Sequence, residues 1–127
     1  AREAGERLAK KILAPKQVLL FGGETTVTVH GAGIGGRNQE LALSALPFVE
    51  AKTLVLSAAS DGRDNTDAAG AIADSYSKEK ARELGLDSSQ FLKQNNSYEF
   101  WQKIGSQIVT GRTGSNIADL VIVLNSG

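Results

Sequence analysis

The 127-residue chain predicts a single α/β domain, a mixed β-sheet covered by helices, on three observations. Short apolar runs of strand length stand at Val18–Phe21, Leu54–Leu56 and Leu120–Leu124. Segments whose apolar residues recur at helical spacing lie between them. Polar, glycine-bearing loops separate the two patterns, with no repeats, linkers or low-complexity tracts.

The first helix carries Ala4, Leu8, Ala9, Ile12 and Leu13 on one stripe and stops at Pro15. Val18-Leu19-Leu20-Phe21 then suits a buried strand. After Gly22-Gly23, the run Glu24–Val29 alternates polar and apolar, which predicts a second strand and a hairpin with the first. Gly31–Gly36 cannot be regular, and it leads into a helix from Arg37 with Leu41, Ala42, Ala45 and Leu46 inward. Leu54–Leu56 ends in the polar loop Ser60–Asp67. Ser77 is expected to cap a helix over Lys78–Leu84 that closes at Gly85, and Asp87 a short one carrying Phe91 and Leu92. Asn96 or Ser97 caps the last helix, with Tyr98, Trp101, Ile104 and Ile108 at helical spacing. Loop Thr110–Asn116 precedes the final apolar strand.

Composition excludes several functions. Fourteen basic residues balance fourteen acidic ones, so no electrostatic footprint for nucleic acid exists. There is no cysteine and one histidine, His30, which removes disulfides, thiolate sites and histidine-rich zinc sites. No apolar run reaches the roughly 20 residues of a membrane helix, and no signal-like segment opens the chain. The expectation is a soluble, cytoplasmic protein. Starting within a helix at Ala1, without methionine, the chain reads as cut from something longer.

Three loops carry the candidate chemistry, since ligands of α/β sheets gather beyond strand ends. Gly31–Gly36 contains G-x-G-x-x-G, but the half-polar segment before it and the missing ribose acid after Leu54–Leu56 argue against a dinucleotide. An anion-binding loop at the next helix's amino end fits better, beside the reading of a purely structural turn. Arg37 stands in the first helical turn, where a cation is disfavoured unless an anion or Glu40 pairs with it. Asp61, Asp64 and Asp67 offer carboxylates for a hydrated magnesium ion, with Asp67 alternatively capping a helix at Ala68-Ala69 and Asp64 forming a turn. Thr110-Gly111-Arg112-Thr113-Gly114-Ser115-Asn116 can present donors to phosphate or sugar-acid oxygens, yet lacks the ending of a P-loop. His30 reads as a surface or strand-face residue, and Trp101 with Phe100 and Tyr98 as core.

These same stretches resemble the MOFRL domain of glycerate 2-kinases. Gly22–Val29 followed by Gly35-Gly36-Arg37-Asn38-Gln39-Glu40-Leu41-Ala42 is similar to its opening signature. Ser60–Ala71 resembles its T-D-G-x-D-G-P-T-D-A-A-G-A run, Asn96-Ser97-Tyr98 its N-D-S-Y, and Thr110–Asn116 its T-G-P-T-G-T-N. This chain departs by a one-residue-shorter acidic loop with Asn65 in place of a Gly-Pro pair, and by Arg112 and Asn96.

The resemblance implies that residues 1–127 are the carboxy-terminal cleft domain of an enzyme that phosphorylates D-glycerate to 2-phosphoglycerate with ATP and a divalent cation, Mg. The larger amino-terminal nucleotide-binding domain would be the partner, in the same or a separate chain, and a homodimer is allowed. The fragment alone would be inactive and hold no cofactor tightly. Arg37 and Asp61 are implied as catalytic, and Asp61 with Asp64 as metal ligands. Gly22, Gly23, Glu24, Thr25, Gly35, Gly36, Asn38, Thr110, Gly111, Thr113, Gly114 and Asn116 are implied as substrate-binding. The rival readings are a free-standing small-anion-binding module and a structural or dimerising domain; a nicotinamide-dependent hydroxypyruvate reductase fits poorly with the rejected fingerprint.

Overall fold

The computed structural model describes residues 1–10, 16–29, 31–115 and 118–126. The expectations placed on Ile12, Leu13, Pro15, His30 and Asn116 fall outside the described residues. The elements run α1 (Arg2–Ala9), β1 (Gln17–Gly23), α2 (Arg37–Ala45) with a 3-10 turn at Leu46–Phe48, β2 (Thr53–Ala59) and β3 (Gly70–Asp74). They continue through α3 (Ser75–Glu83), α4 (Ser88–Lys93), α5 (Ser97–Ile104), β4 (Gln107–Ile108) and β5 (Asp119–Asn125). The sheet order is β1-β5-β2-β3-β4.

This is the expected α/β domain, with one correction to the sheet: among the described residues every pairing is antiparallel, not mixed. The expected hairpin across Gly22-Gly23 is also absent. Glu24–Val29 forms no strand, and β1 pairs with β5 along its whole length, from Gln17↔Asn125 to Gly23↔Asp119. The reason is burial. Leu120–Leu124 is apolar on both faces and takes the position between β1 and β2, whereas the half-polar Glu24–Val29 gains little from a central place.

Two further corrections follow from small residues. Ala68 and Ala69 lead into β3, so Asp67 caps no helix; alanine and glycine there let α2 pack closely on the sheet. Ile108 belongs to β4, because α5 stops at Gly105, whose φ of 83° only glycine adopts readily. Asp74, one turn earlier than expected, caps α3: its carboxylate accepts from the Ser77 amide at 2.8 Å while Ser77 Oγ accepts from the Asp74 amide.

The helices gather on one face of the sheet around α2, of which Asn38 to Ala45 are all buried. Leu41, Leu43, Phe100, Trp101, Val55 and Val123 form the centre of the core. Trp101 and Phe100 are core as expected, the indole N–H donating to the Gln39 carbonyl at 2.9 Å, whereas Tyr98 is only partly buried and turns its hydroxyl out to Asp67. Among the described residues no helix is long and apolar enough to cross a membrane.

Candidate active site

The antiparallel register brings the polar loops to one end of the sheet. Gly23, Asp119 and Ala59 stand side by side there, at the last residue of β1, the first of β5 and the last of β2. The loop after β2, the loop before β5 and the amino end of α2 therefore meet.

Arg37 is the first residue of α2, and its neighbour in space is Asp119. Asp119 Oδ2 accepts from Arg37 Nε at 2.5 Å and Oδ1 from Nη2 at 2.9 Å, a bidentate pair with the carboxylate 6% exposed and the guanidinium 34%. That hydrogen bond, opposed by burial and assisted by the charges of Asp119, Glu24 and Asp64, holds the guanidinium pKa above its usual value. Arg37 is a cation at any working pH. The expected alternative, a pair with Glu40 one turn on, is not formed. Glu40 instead accepts from Arg2 and from Asn95 Nδ2, and is 5% exposed.

The amino end of α2 is already occupied by an anion. Asp64, 1% exposed, accepts from the Asn38 amide (3.0 Å) and Asn38 Nδ2 (3.2 Å) with Oδ1. Its Oδ2 accepts from the Gln39 amide (2.8 Å) and Gln39 Nε2 (3.1 Å). The macrodipole that a substrate anion was expected to complete is completed from within. Asn38 continues inward, its Oδ1 accepting from Ser57 Oγ at 2.7 Å. Gly36 has its place for the same reason: a Cβ there would lie 2.1 Å from the Asp64 carbonyl oxygen. Asn65, where the family pattern has Gly-Pro, takes a left-handed φ of 60° and donates from Nδ2 to the Gly35 carbonyl at 3.0 Å.

Backbone amides of the glycine-rich stretch are similarly engaged. Gly33 N donates to the Gln94 carbonyl, Gly31 N to Asn95 Oδ1 and Ile34 N to Asn96 Oδ1. Beside them opens a cleft of about 570 Å³. Glu24, Thr25, Gly35 and Gly36 line it together with Arg37, as do Glu40, Asn65, Asn95 and Ser97. Gly22 and Gly23 border the adjoining hollow with Asp119 and Asn38.

Asp61 and the third loop form a second group outside that cleft wall. Asp61 Oδ1 accepts from the Arg63 amide at 2.9 Å. The third loop is fastened to the second by Thr113 N to the Asp61 carbonyl at 3.3 Å and Thr113 Oγ1 to the Ser60 carbonyl at 2.5 Å. Gly62 permits this approach, with φ 85° and a would-be Cβ 1.9 Å from the Gly111 carbonyl oxygen. Thr110, Gly111, Thr113 and Gly114 are exposed. Among the described residues no three acidic or histidine side chains come together as a metal site. Both Asp64 oxygens are committed to α2, so a magnesium ion finds only Asp61 of the expected pair.

The residue sequence reasoning missed is Asp119. Its signal was an acidic residue directly before an all-apolar strand, a place where a buried charge demands a partner.

The family model described as "MOFRL family" matches residues 17–119, across all of these loops. The chain belongs to the MOFRL family. It is 45% identical over 136 aligned residues to a D-glycerate 2-kinase of Thermotoga maritima, covering 98% of this chain and 33% of that protein. To a glycerate 2-kinase of Pyrococcus horikoshii it is 47% identical, covering 87% of this chain and 26% of that one. The crystal structure of a Thermotoga maritima glycerate kinase superposes with a TM-score of 0.91 at 45% identity, over 98% of this chain and 33% of the other. The chain thus spans a quarter to a third of the length of these relatives.

Proposed function

We propose that this MOFRL chain is the cleft domain of a glycerate 2-kinase, supplying Arg37 to the transfer of a phosphoryl group from ATP to the 2-hydroxyl of D-glycerate. The observation that carries the reading is the Arg37–Asp119 bracket at the cleft wall. Asp119 takes Nε and one Nη2 hydrogen, which fixes the plane of the guanidinium. The remaining N–H groups have no acceptor among the described residues, and Arg37 is cleft-lining. A planar fork so held suits an anion with two oxygens, either the glycerate carboxylate or the transferring phosphoryl group.

Phosphoryl transfer needs positioning and charge compensation more than covalent help from the protein. The glycerate 2-oxygen forms the new bond to the γ-phosphorus as the bond to the bridging oxygen breaks, and ADP leaves with that oxygen. Arg37 stabilises charge on the equatorial oxygens or holds the carboxylate so that the hydroxyl lies in line. Asp119 is a positioning residue. Asp61 lies outside the lining of that cleft, so its role as acceptor of the hydroxyl proton requires the substrate to extend from Arg37 to the loop beyond β2, where Asp61 Oδ2 has no partner among the described residues. A magnesium ion takes one or two carboxylates beside substrate phosphates and water, so Asp61 would be this chain's share of such a site, and no step is assigned to the metal. The nucleotide belongs, on this reading, to the remainder of the enzyme.

The test is a full-length enzyme containing this domain. Arg37→Ala should lower kcat/KM for glycerate by at least about 100-fold, about 2.7 kcal/mol of transition-state stabilisation, and Arg37→Lys should restore little of it. Wild-type turnover in Arg37→Ala overturns the assignment. Glycerate binding with no turnover in any full-length form supports the small-anion-binding module instead.

A further inference from the structure

β2 and β5 carry apolar residues on both faces, and among the described residues only one face is covered by helices. Val55, Val121 and Val123 point to the helices and are buried. Their alternates point the other way and pair in rows across the sheet: Val18, Leu124 and Leu54 in one, Leu20, Ile122 and Leu56 in the next. None of these six belongs to the core cluster or packs against it. Val18 is 57% exposed and Leu20 67%. An antiparallel sheet that keeps one face in water carries polar residues there, and this one carries aliphatic rows.

Outside β1 and β5 the exposed large apolar residues, among the described ones, are Val29, Ile34, Phe48, Tyr76, Leu84 and Val109, which lie in loops and at helix ends and not in rows. On α3 the exposed Tyr76 and, at its end, Leu84 are separated by the exposed charges Lys78, Glu79, Arg82 and Glu83. Relatives that match this chain continue for two to three times its length beyond the match, since it covers 33% and 26% of them. That additional chain needs an apolar surface on this domain, and the described residues provide one on the sheet. β1 sharpens the point: it stands first in the strand order, with β5 on one side and its other edge unpaired among the described residues.

We infer that the open sheet face, centred on Leu20, Ile122 and Leu56, is the surface on which the remainder of a full-length glycerate 2-kinase packs. The inference rests on the proposed role as one domain of that enzyme, but not on the assignment of Arg37. The occupant is that remainder rather than a second copy, because a sheet-to-sheet dimer would use up the rows of aliphatic side chains that the longer enzyme requires.

The chain has no cysteine, so Leu20→Cys introduces a unique thiol. Its maleimide reactivity can be compared between residues 1–127 alone and a chimera in which they replace the matching third of the Thermotoga maritima enzyme, made cysteine-free. Each rate is referred to the same protein unfolded in urea. In the isolated chain Leu20→Cys should react within about threefold of its unfolded rate, and in the chimera at least about 50-fold more slowly. Equal reactivity in both overturns the inference. Protection in the isolated chain that grows with concentration also overturns it, in favour of a second copy. Neither readout involves turnover, so a failed Arg37 assignment leaves it intact. Should the chimera not fold, Leu20→Lys in the isolated chain decides. It should leave the melting temperature within about 2 °C of wild type, because a charge at an exposed site costs little. The other two-thirds of the Thermotoga maritima enzyme, added as a separate polypeptide, should raise the melting temperature of the wild-type chain and not that of Leu20→Lys. A large loss of stability in Leu20→Lys alone, or equal stabilisation of both by the added polypeptide, overturns the inference.

Discussion

The amino ends of α2 and α3 are each closed by an aspartate, and the two aspartates arrive by different routes. Asp74 immediately precedes α3 and is only partly buried, and the reciprocal bonds with Ser77 span three residues. Asp64 lies 26 residues after the α2 amides it accepts from, on the loop beyond β2, and is almost wholly buried. The first cap is a local device that a helix carries with it. The second exists only once β2 has docked beside α2, and it ties the acidic loop to the helix that bears Arg37. A distant cap of this kind sets the position of a site, while a local one only ends a helix.

The sharpest way to break the comparison is Asp64→Ala. It leaves two buried backbone amides and Asn38 Nδ2 without their acceptor, while Gln39 Nε2 keeps the residue-64 carbonyl and Thr66 Oγ1, and stability should fall by about 3 kcal/mol in denaturant unfolding. Asp64→Asn should recover less than half of that, because its NH₂ must face an amide donor. A loss below about 1 kcal/mol would mean the buried cap is worth no more than an exposed one.

Removing Arg37 comes next. Arg37→Ala strands the Asp119 carboxylate, 6% exposed. The about 3–5 kcal/mol expected for breaking a fully buried pair is reduced to about 1–2 because the guanidinium is a third exposed. Asp119→Asn should cost less stability yet still lower kcat by about 10-fold in the full-length enzyme, with KM moving less, if it positions Arg37. Asp74→Ala should cost only about 1 kcal/mol and leave kinetics unchanged, the size of an ordinary lost cap.

The smallest expected effect lies at Tyr98, whose hydroxyl donates to Asp67 Oδ1 at 2.7 Å. That hydrogen bond, with lesser contributions from burial and the Asp67 charge, raises the phenol pKa. A raised folded value means the contact stabilises the fold below the ordinary phenol range and ceases to do so as pH rises through the folded value. Asp67→Asn should bring Tyr98 ionisation back toward the ordinary range in an ultraviolet titration. An unchanged titration would show that the bond is not maintained in solution.

Much of this was legible from local pattern. The apolar runs at Leu54–Leu56 and Leu120–Leu124 are strands, and α2, α4 and α5 begin where their polar starts predict. The glycine stretch leads into α2 as expected, though no strand precedes it directly, and the two polar loops follow β2 and precede β5. Ser77 was taken for the cap of α3 when it is the other half of the box, an error of one turn within the right motif. β3 was missed because Gly70-Ala71-Ile72-Ala73 has neither strand-like bulk nor alternation. The hairpin failed because alternation reports one polar face and says nothing about which strand is the better partner.

Periodicity, capping chemistry and motif order act within a few residues, so the chain by itself determined an α/β domain, its family and the loops around Arg37. Partner choice across the sheet is a competition among distant segments for buried area, and only the tertiary structure decided that β5 lies between β1 and β2. The same holds for the two acids of the site. Asp64 and Asp119 stand 26 and 82 residues from the groups they hold, and no local rule links them. Each is buried, and a buried carboxylate must find its donors wherever the fold brings them.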